Sequence, residues 1–491
     1  MNPPQHQSET VANIPKKAIF KHGKNDTTII QKRELIEYPA TALSQTVTVG
    51  ENDSNKSITF HISGDAMIDG RESFFSVKMN TNKWTSFLSG DVTSIVKRII
   101  ISLPSNSNLI LEDINDYNTL QSICHLANAN DDQFDCSWAS GLNSMSNYNK
   151  QNGAKASRRY LNLHEEGDAR TMIFQLSLSG IFSSESYIPL VLLNGIKIQI
   201  FLEKASKCLL YDPADEASFA SVFDKTDAPF TKQFSDMTNQ EKSDVTEALK
   251  EHTGKGDPNA TTPIAYTLTD PKFHAQTIFM STQYIDGLIK ASESQNGITL
   301  NFDTYRMNTI TLESPNINFA FHDALQDLKT MFMVTQNRNS TTNTHYNYFL
   351  RGIKNFTYRV GSRIYNKVDC ECPSLSLAST LLSLGKFGTY GTHNLSYTSY
   401  PRSKNIHIFD FQTARHESKS ATTGLNTCNG RLLRIEMEFY TSPSKTIVSS
   451  QDNSTLATLS SVGTYDEINV CTFMEFSKMI RINGSGILCT E

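Results

Sequence analysis

The sequence predicts an all-β chain of two consecutive sandwich or barrel units, carrying long loop insertions and short helices. Three observations predict it. Apolar residues recur in short alternating runs, turn residues separate those runs, and a polar turn-rich segment, Ala291-Ser-Glu-Ser-Gln-Asn-Gly297, splits them into two halves. Alternation with a period of two points successive side chains to opposite sides, as in a half-buried strand. At 491 residues the chain is longer than one ordinary hydrophobic core supports, so two units suit it.

Residues 1–50 are polar, with Lys16, Lys17, Lys21, Lys24, Lys32 and Arg33 clustered among them. Such a segment buries too little surface to fold alone and is expected to be an N-terminal arm that orders against partners, docking through Ile29, Ile30, Leu35 and Ile36. From Ser57 the strands begin: Ile58–Ile62, Ser73–Met79 and Ile95–Leu103, separated by Gly64-Asp65, Asp69-Gly70 and Pro104-Ser-Asn-Ser-Asn108. A helix is predicted over Asp116–Ala127, where Tyr117, Leu120, Ile123, Cys124 and Ala127 fall at three- and four-residue spacing. Residues 128–169 form a polar insertion too long for a hairpin. Strands resume at Thr171–Leu178.

Tyr187–Glu203 carries the strongest local signal. A continuous apolar run crosses Asn194-Gly195 into an alternation that places Ile196, Ile198, Ile200 and Leu202 inward and Lys197, Gln199 and Glu203 outward. Asn-Gly between two β-rich runs predicts a hairpin, because both residues tolerate positive φ. Residues 205–262 are a second insertion, with a helix expected after the capping box Thr238/Glu241 and ending at Gly254. A strand over Thr277–Tyr284 ends the first half. In the second half Ile298–Phe302, Ile310–Leu312, Thr330–Thr335, Phe356–Val360, Ile406–Phe411 and Leu432–Tyr440 read as strands and Ser374–Leu384 as a helix. Two β units of about 200–240 residues result, each the size of one eight-stranded jelly roll with long loops.

Composition narrows the function. Hydrophobic residues make up 38% and mean hydropathy is -0.37. No run approaches the ~18 apolar residues that span a bilayer. The first ten residues lack the charged and apolar regions of a secretory signal, so assembly inside the cell is expected. A net charge of -5 argues against a dedicated nucleic-acid binder. The eight cysteines, at 124, 136, 208, 370, 372, 428, 471 and 489, form no Cys-x-x-Cys pair and read as reduced thiols.

No catalytic, cofactor-binding or metal site is predicted. Cys370-Glu-Cys372 lacks the second ligand pair that structural zinc needs. His164-Glu-Glu166 and His416-Glu417 do not extend to His-Glu-x-x-His and read as solvated loop residues. Neither a nucleophile elbow nor a phosphate loop occurs.

The chain resembles the double jelly-roll major capsid proteins of eukaryotic DNA viruses, of the polinton-like virus and virophage type. Ile58–Met79, with Asp69-Gly-Arg-Glu-Ser-Phe-Phe75 in it, looks like the family's first strand pair, and the Tyr187–Glu203 segment like a strand pair in the middle of the first roll. Ile95–Leu111 followed by Glu112-Asp-Ile-Asn-Asp-Tyr-Asn-Thr-Leu120 is similar to the strand that ends in Glu and leads into a "Tyr-Asn" helix. Phe279–Asp286 resembles the strand closing the first roll, and Leu325–Thr335 a second-roll strand before a long loop. Tyr358-Arg-Val-Gly-Ser-Arg-Ile-Tyr365 resembles a "Tyr-x-x-Gly-Ser" strand, although Asn366 stands where the family usually has Pro. Thr422–Gly430 before Leu432–Tyr440 looks like the family's "Ser-Gly" segment and C-terminal strand.

The resemblance implies a first roll at 51–290, a second at 297–491, and insertions 128–169 and 205–262 in an outward tower. It implies a homotrimer of pseudo-hexagonal outline that tiles an icosahedral shell in the virion. The implied partners are neighbouring capsomers, minor capsid and penton proteins, and an inner membrane or packaged DNA met by the N-terminal arm. No cofactor is implied. The rival reading is a secreted carbohydrate-binding β-sandwich, which would carry disulfides and aromatic platforms, whereas Trp84 and Trp138 are the only tryptophans.

Overall fold

Alternating apolar residues build the sheets, and turn residues set where they end. The computed structural model describes residues 29–81, 86–87, 92–104, 109–128, 170–210, 264–294, 297–337, 353–370, 372–387, 393, 395, 400, 405–411, 424–428, 432–439, 446–448, 455–458, 468–484 and 486–490.

The first half contributes β1 (Ile30–Pro39), β2 (Thr46–Val49), β3 (Ser57–Ile62), β4 (Met67–Thr81), β5 (Val96–Ser102), β6 (Ile110–Asn115), α1 (Tyr117–Asn128), β7 (Arg170–Phe174), β8 (Ile196–Leu202) and β9 (Tyr266–Met280). One sheet runs β1-β9-β4-β7, with β2 also on β9, and the other runs β3-β8-β5-β6. After α2 (Thr282–Glu293) come β10 (Ile298–Thr311), β11 (Asn316–Ala320), β12 (Leu328–Asn337), β13 (Ile353–Val360), β14 (Arg363–Asp369), α3 (Pro373–Ser383), β15 (Ile406–Asp410), β16 (Leu433–Phe439), β17 (Ile468–Asn483) and β18 (Gly486–Thr490). Their sheets run β10-β17-β12-β15, with β18 on β17, and β11-β16-β13-β14.

All of these pairings are antiparallel; in the first half the first strand lies beside the last, and in the second it lies beside the long strand β17. β1 pairs β9 from Ile30↔Met280 to Pro39↔Lys272, and β10 pairs β17 from Ile298↔Ile482 to Thr311↔Asn469. Two four-strand sheet paths facing each other with that closure make a jelly roll. Among the described residues no sheet joins a strand from before α2 to one after it.

The core follows the alternation. β8 buries Ile196, Ile198, Ile200 and Leu202, with the residues between them half-buried. β17 is buried on both faces: Ile468, Val470, Met474 and Phe476 enter the second roll's interior. Cys471, Phe473, Ile480 and Ile482 join the core of the first roll. Phe302, Phe332 and Val334 do the same, so one apolar cluster runs through both rolls.

The structure corrects several expectations. Residues 30–39 and 46–49, expected in an arm, are β1 and β2 of the first sheet. β1 looked like an arm because it is an edge strand: Gln31, Lys32, Arg33, Glu34, Leu35 and Glu37 are exposed, and edges carry charge to deter pairing with other chains. Residues 1–28 lie outside the described residues. The hairpin at Asn194-Gly195 is absent. Those residues do adopt positive φ, 53° and 91°, yet they join the single helical turn Leu190–Leu193 to β8, whose partners are β3 and β5. Before that turn Ile188 and Pro189 pair with Ile68 and Met67 of β4, and Pro189, with no N–H to give, ends that short ladder. Glu203, expected outward, is buried. The strand expected over 277–284 is the end of β9, and the chain turns helical at Thr282, with the Ser281 side chain capping α2 through Tyr284 N–H. β7 stops at Phe174, short of the expected Leu178. The helix expected between Thr238 and Gly254 lies outside the described residues.

Candidate functional site: the seam between the rolls and the two ends

The residues of the Glu112 to Leu120 motif hold the seam. β6 brings the Glu112 carboxylate into a fully buried position, where it accepts from Ser179 Oγ, from Gly180 N–H at 2.7 Å and, from the second roll, from Thr304 Oγ1 at 2.8 Å. Burial raises the pKa of the Glu112 carboxyl, against the downward pull of those hydrogen bonds. Ser179 also caps the helical turn Gly180–Ser183 by accepting from Phe182 N–H. Gly180 lies against β10: a Cβ there would sit 1.8 Å from the Asp303 carbonyl oxygen and 2.7 Å from the Phe302 ring. Only glycine lets the two backbones approach so closely.

The rest of the motif fastens α1 beneath the sheets. Asn118 Nδ2 donates to Ser94 O and to Glu203 Oε2, both at 3.2 Å, and the Tyr117 hydroxyl accepts from Leu178 N–H at 3.3 Å. Across the seam, Glu475 on β17 has its carboxyl pKa raised by burial, and Tyr305 donates to it at 3.4 Å. Lys329 Nζ pairs with Asp303 at 2.6 Å, and Ser477 Oγ donates to both Asp303 and Asp327. These contacts position backbones. None leaves a nucleophile or ligand set facing an open cleft.

The chain's long connections leave one end of the molecule. α1 starts at this end, where Asn118 bonds Ser94 O just before β5, β7 begins at Arg170 opposite Met79, and β9 begins at Tyr266 opposite Thr81. The described chain therefore leaves and re-enters around insertions 128–169 and 205–262 at that end. In the second roll Asn337 faces Ile468, and Ile353 faces Phe439, so the 338–352 and 440–467 connections start from one end as well. Lys386 Nζ, just after α3, donates to Ala127 O and brings the two ends together. The N-terminal strand starts at the opposite end. There Ile30 pairs with Met280, and Met67, Ile278, Leu288 and Ile298 make a separate small core around α2.

His164, Glu165, Glu166, His416 and Glu417 lie outside the described residues. Cys370 is buried and Cys372 half-buried. Among the described residues no cluster of three or more His, Cys, Asp or Glu is placed to hold a metal ion. No described helix is long and apolar enough to cross a membrane. The seam role of Glu112 was readable only as an acid inside an apolar strand run; its partners, Ser179 and Thr304, gave no sequence signal.

No family model and no curated protein matches the chain. Solved structures do. The Faustovirus major capsid protein is 10% identical, with a TM-score of 0.52 over 96% of this chain and 94% of that one. VP54 of PBCV-1, fitted into a reconstruction of the virophage Sputnik, is 8% identical, with a TM-score of 0.52 over 96% and 99%. A chain of the Sputnik virophage is 11% identical, with a TM-score of 0.51 over 97% and 92%. The chain is a double jelly roll. At such identities the likeness fixes the path of the backbone, and in a double jelly roll the residues above account for how the two halves are joined.

Proposed function

We propose that this double jelly roll is the major capsid protein of a DNA virus, a structural subunit and not an enzyme. In this reading it trimerises into capsomers of pseudo-hexagonal outline that tile an icosahedral shell, beside neighbouring capsomers and minor capsid and penton proteins. The observation that carries it is the near end-to-end match with the Faustovirus major capsid protein, covering 96% of one chain and 94% of the other. The two domains are the rolls, divided at residues 291–297. The polarity of the chain supports an orientation: the end bearing the long connections faces outward as a tower, and the end from which residues 1–28 lead away faces the interior. The lysines of residues 1–28 then suit anionic lipid, DNA or acidic minor proteins through salt-screened contacts.

Light scattering coupled to size exclusion tests this directly. A trimer of 54.9 kDa chains is expected, and a monomer retarded on immobilised glycans would instead support the carbohydrate-binding reading. In assembled shells a tag inserted within 205–262 is expected to be reached by antibody, and one at residue 1 to be shielded.

A further inference from the structure

The second roll has a further buried polar site, separate from the Glu112 contacts. α3 closes the open side of that roll between β15 and the end of β14. Its inner side carries Pro373, Ser376, Leu377 and Thr380, all buried, and its outer side leaves Leu375 and Leu382 more than half exposed. Its polar attachments converge on one spot. Thr380 Oγ1 donates to Ile406 O at 3.1 Å, the Tyr400 hydroxyl donates to the same oxygen at 2.8 Å, and Ser376 Oγ lies 3.3 Å from His407 Nδ1. His407, on β15, is itself buried, with its ring edge-on to Phe356 at 4.8 Å and its Nε2 without a partner. The space there, lined by Phe356, Tyr358, Val368, Ser376, Thr380 and His407 among others, is too tight to admit a water molecule. A substrate cannot enter, so Ser376 and His407 are no catalytic pair.

The geometry instead suits a proton-sensitive joint. An imidazolium needs a second acceptor or water, and this site supplies neither. The titratable groups around the ring are Tyr358 on β13, Tyr400 before β15, and Cys370 with its neighbour Asp369 at the end of β14; α3 has no charged residue, and Met333 is the residue opposite on β12. Burial raises the pKa values of Tyr358 and Tyr400, and that of the Cys370 thiol to about 12, so all three are neutral. Burial also lowers the His407 pKa to about 3. We propose that α3 is an acid-released latch: protonation of His407 lifts the helix off β15 while the first roll stays folded. The proposal stands apart from the capsid reading, since it concerns only how the second roll is closed.

The linkage gives a size. With α3 detached the imidazole returns to its ordinary pKa of about 6.5. The latch is then fully stable above that pH and weakens as pH falls below it. Between pH 7.5 and pH 5 the opening equilibrium should shift by about 30-fold. Hydrogen exchange of the full chain, corrected for intrinsic rates, should show that acceleration in amides of 374–383, and His407→Gln should abolish it. Modification of Cys370 by dithiodipyridine, normalised to a free cysteine peptide, is the second measurement and needs no variant. It should accelerate similarly, while Cys208, buried in the first roll, should not respond. The latch is refuted if exchange and Cys370 labelling are flat with pH, if Cys370 and Cys208 become reactive together, or if His407→Gln keeps the full response.

Discussion

Glu112 holds the rolls together because its burial is matched by three donors, one of which comes from the other roll. Truncation to alanine strands those donors in a site water does not reach, at about 1–3 kcal/mol for each unmet buried group. Glu112→Ala is therefore expected to lower the urea midpoint strongly. Glu112→Gln, which keeps an acceptor for Gly180 and Thr304, should do so much less. The pH dependence has a defined sign. Since the folded pKa is raised, the carboxyl's contribution is complete below its unfolded value near 4.3 and is lost as pH rises through the folded pKa. The stability deficit of Glu112→Gln relative to wild type should accordingly narrow from pH 4 to pH 7, and a deficit that widens over that range would contradict the assignment. Gly180→Ala tests the same seam by steric means. Its methyl would meet the Asp303 carbonyl at 1.8 Å, so the rolls must separate locally, at about 1–3 kcal/mol.

At the scale of elements, legibility followed burial. α1 and α3 were readable because one face of each is apolar at helical spacing, and β8 because its alternation is unbroken. β1 escaped notice because Gln31-Lys-Arg-Glu-Leu35 exposes both faces of an edge. Neither period nor apolar content marks such a strand, and only its pairing with β9 makes it one. β17 was missed for the converse reason: a strand buried on both faces shows no clean alternation, although its run from Val470 to Phe476 was there to see. The apolar residues at 190–193 were legible as buried but not as a helical turn, since periodicity cannot separate the two over so short a run. The placement of β1 changes what truncation should do. Removing residues 1–28 leaves every described strand in place and is expected to preserve the thermal midpoint. Removing residues 1–39 deletes β1, leaves the β9 edge unpaired from Lys272 to Met280, and uncovers Ala275 and Ile278. The longer deletion should aggregate or melt several degrees lower, and equal melting of the two would show that β1 adds nothing to the first roll.

Taken whole, the molecule is two closed sheets pairs that share one core. The sheet β10-β17-β12-β15 is apolar on both sides, and Phe302, Phe332, Val334, Cys471, Phe473, Ile480 and Ile482 join the first roll's cluster. No hinge is compatible with that packing. Cutting the chain between the rolls would return those side chains to water. At about 1.5–3 kcal/mol for each large apolar group, the loss matches or exceeds the roughly 5–15 kcal/mol of net stability typical of a folded protein. The second roll alone, residues 297–491, is thus expected to be insoluble or to bind hydrophobic dyes without a cooperative melt, whereas co-expression with residues 1–296 should recover a soluble complex. The seam's polar contacts would re-form in that complex, so Thr304→Val in the second piece should weaken its recovery. A second roll that melts cooperatively by itself, with no dye binding, would mean that the rolls are independent domains pressed together and that the shared core contributes little.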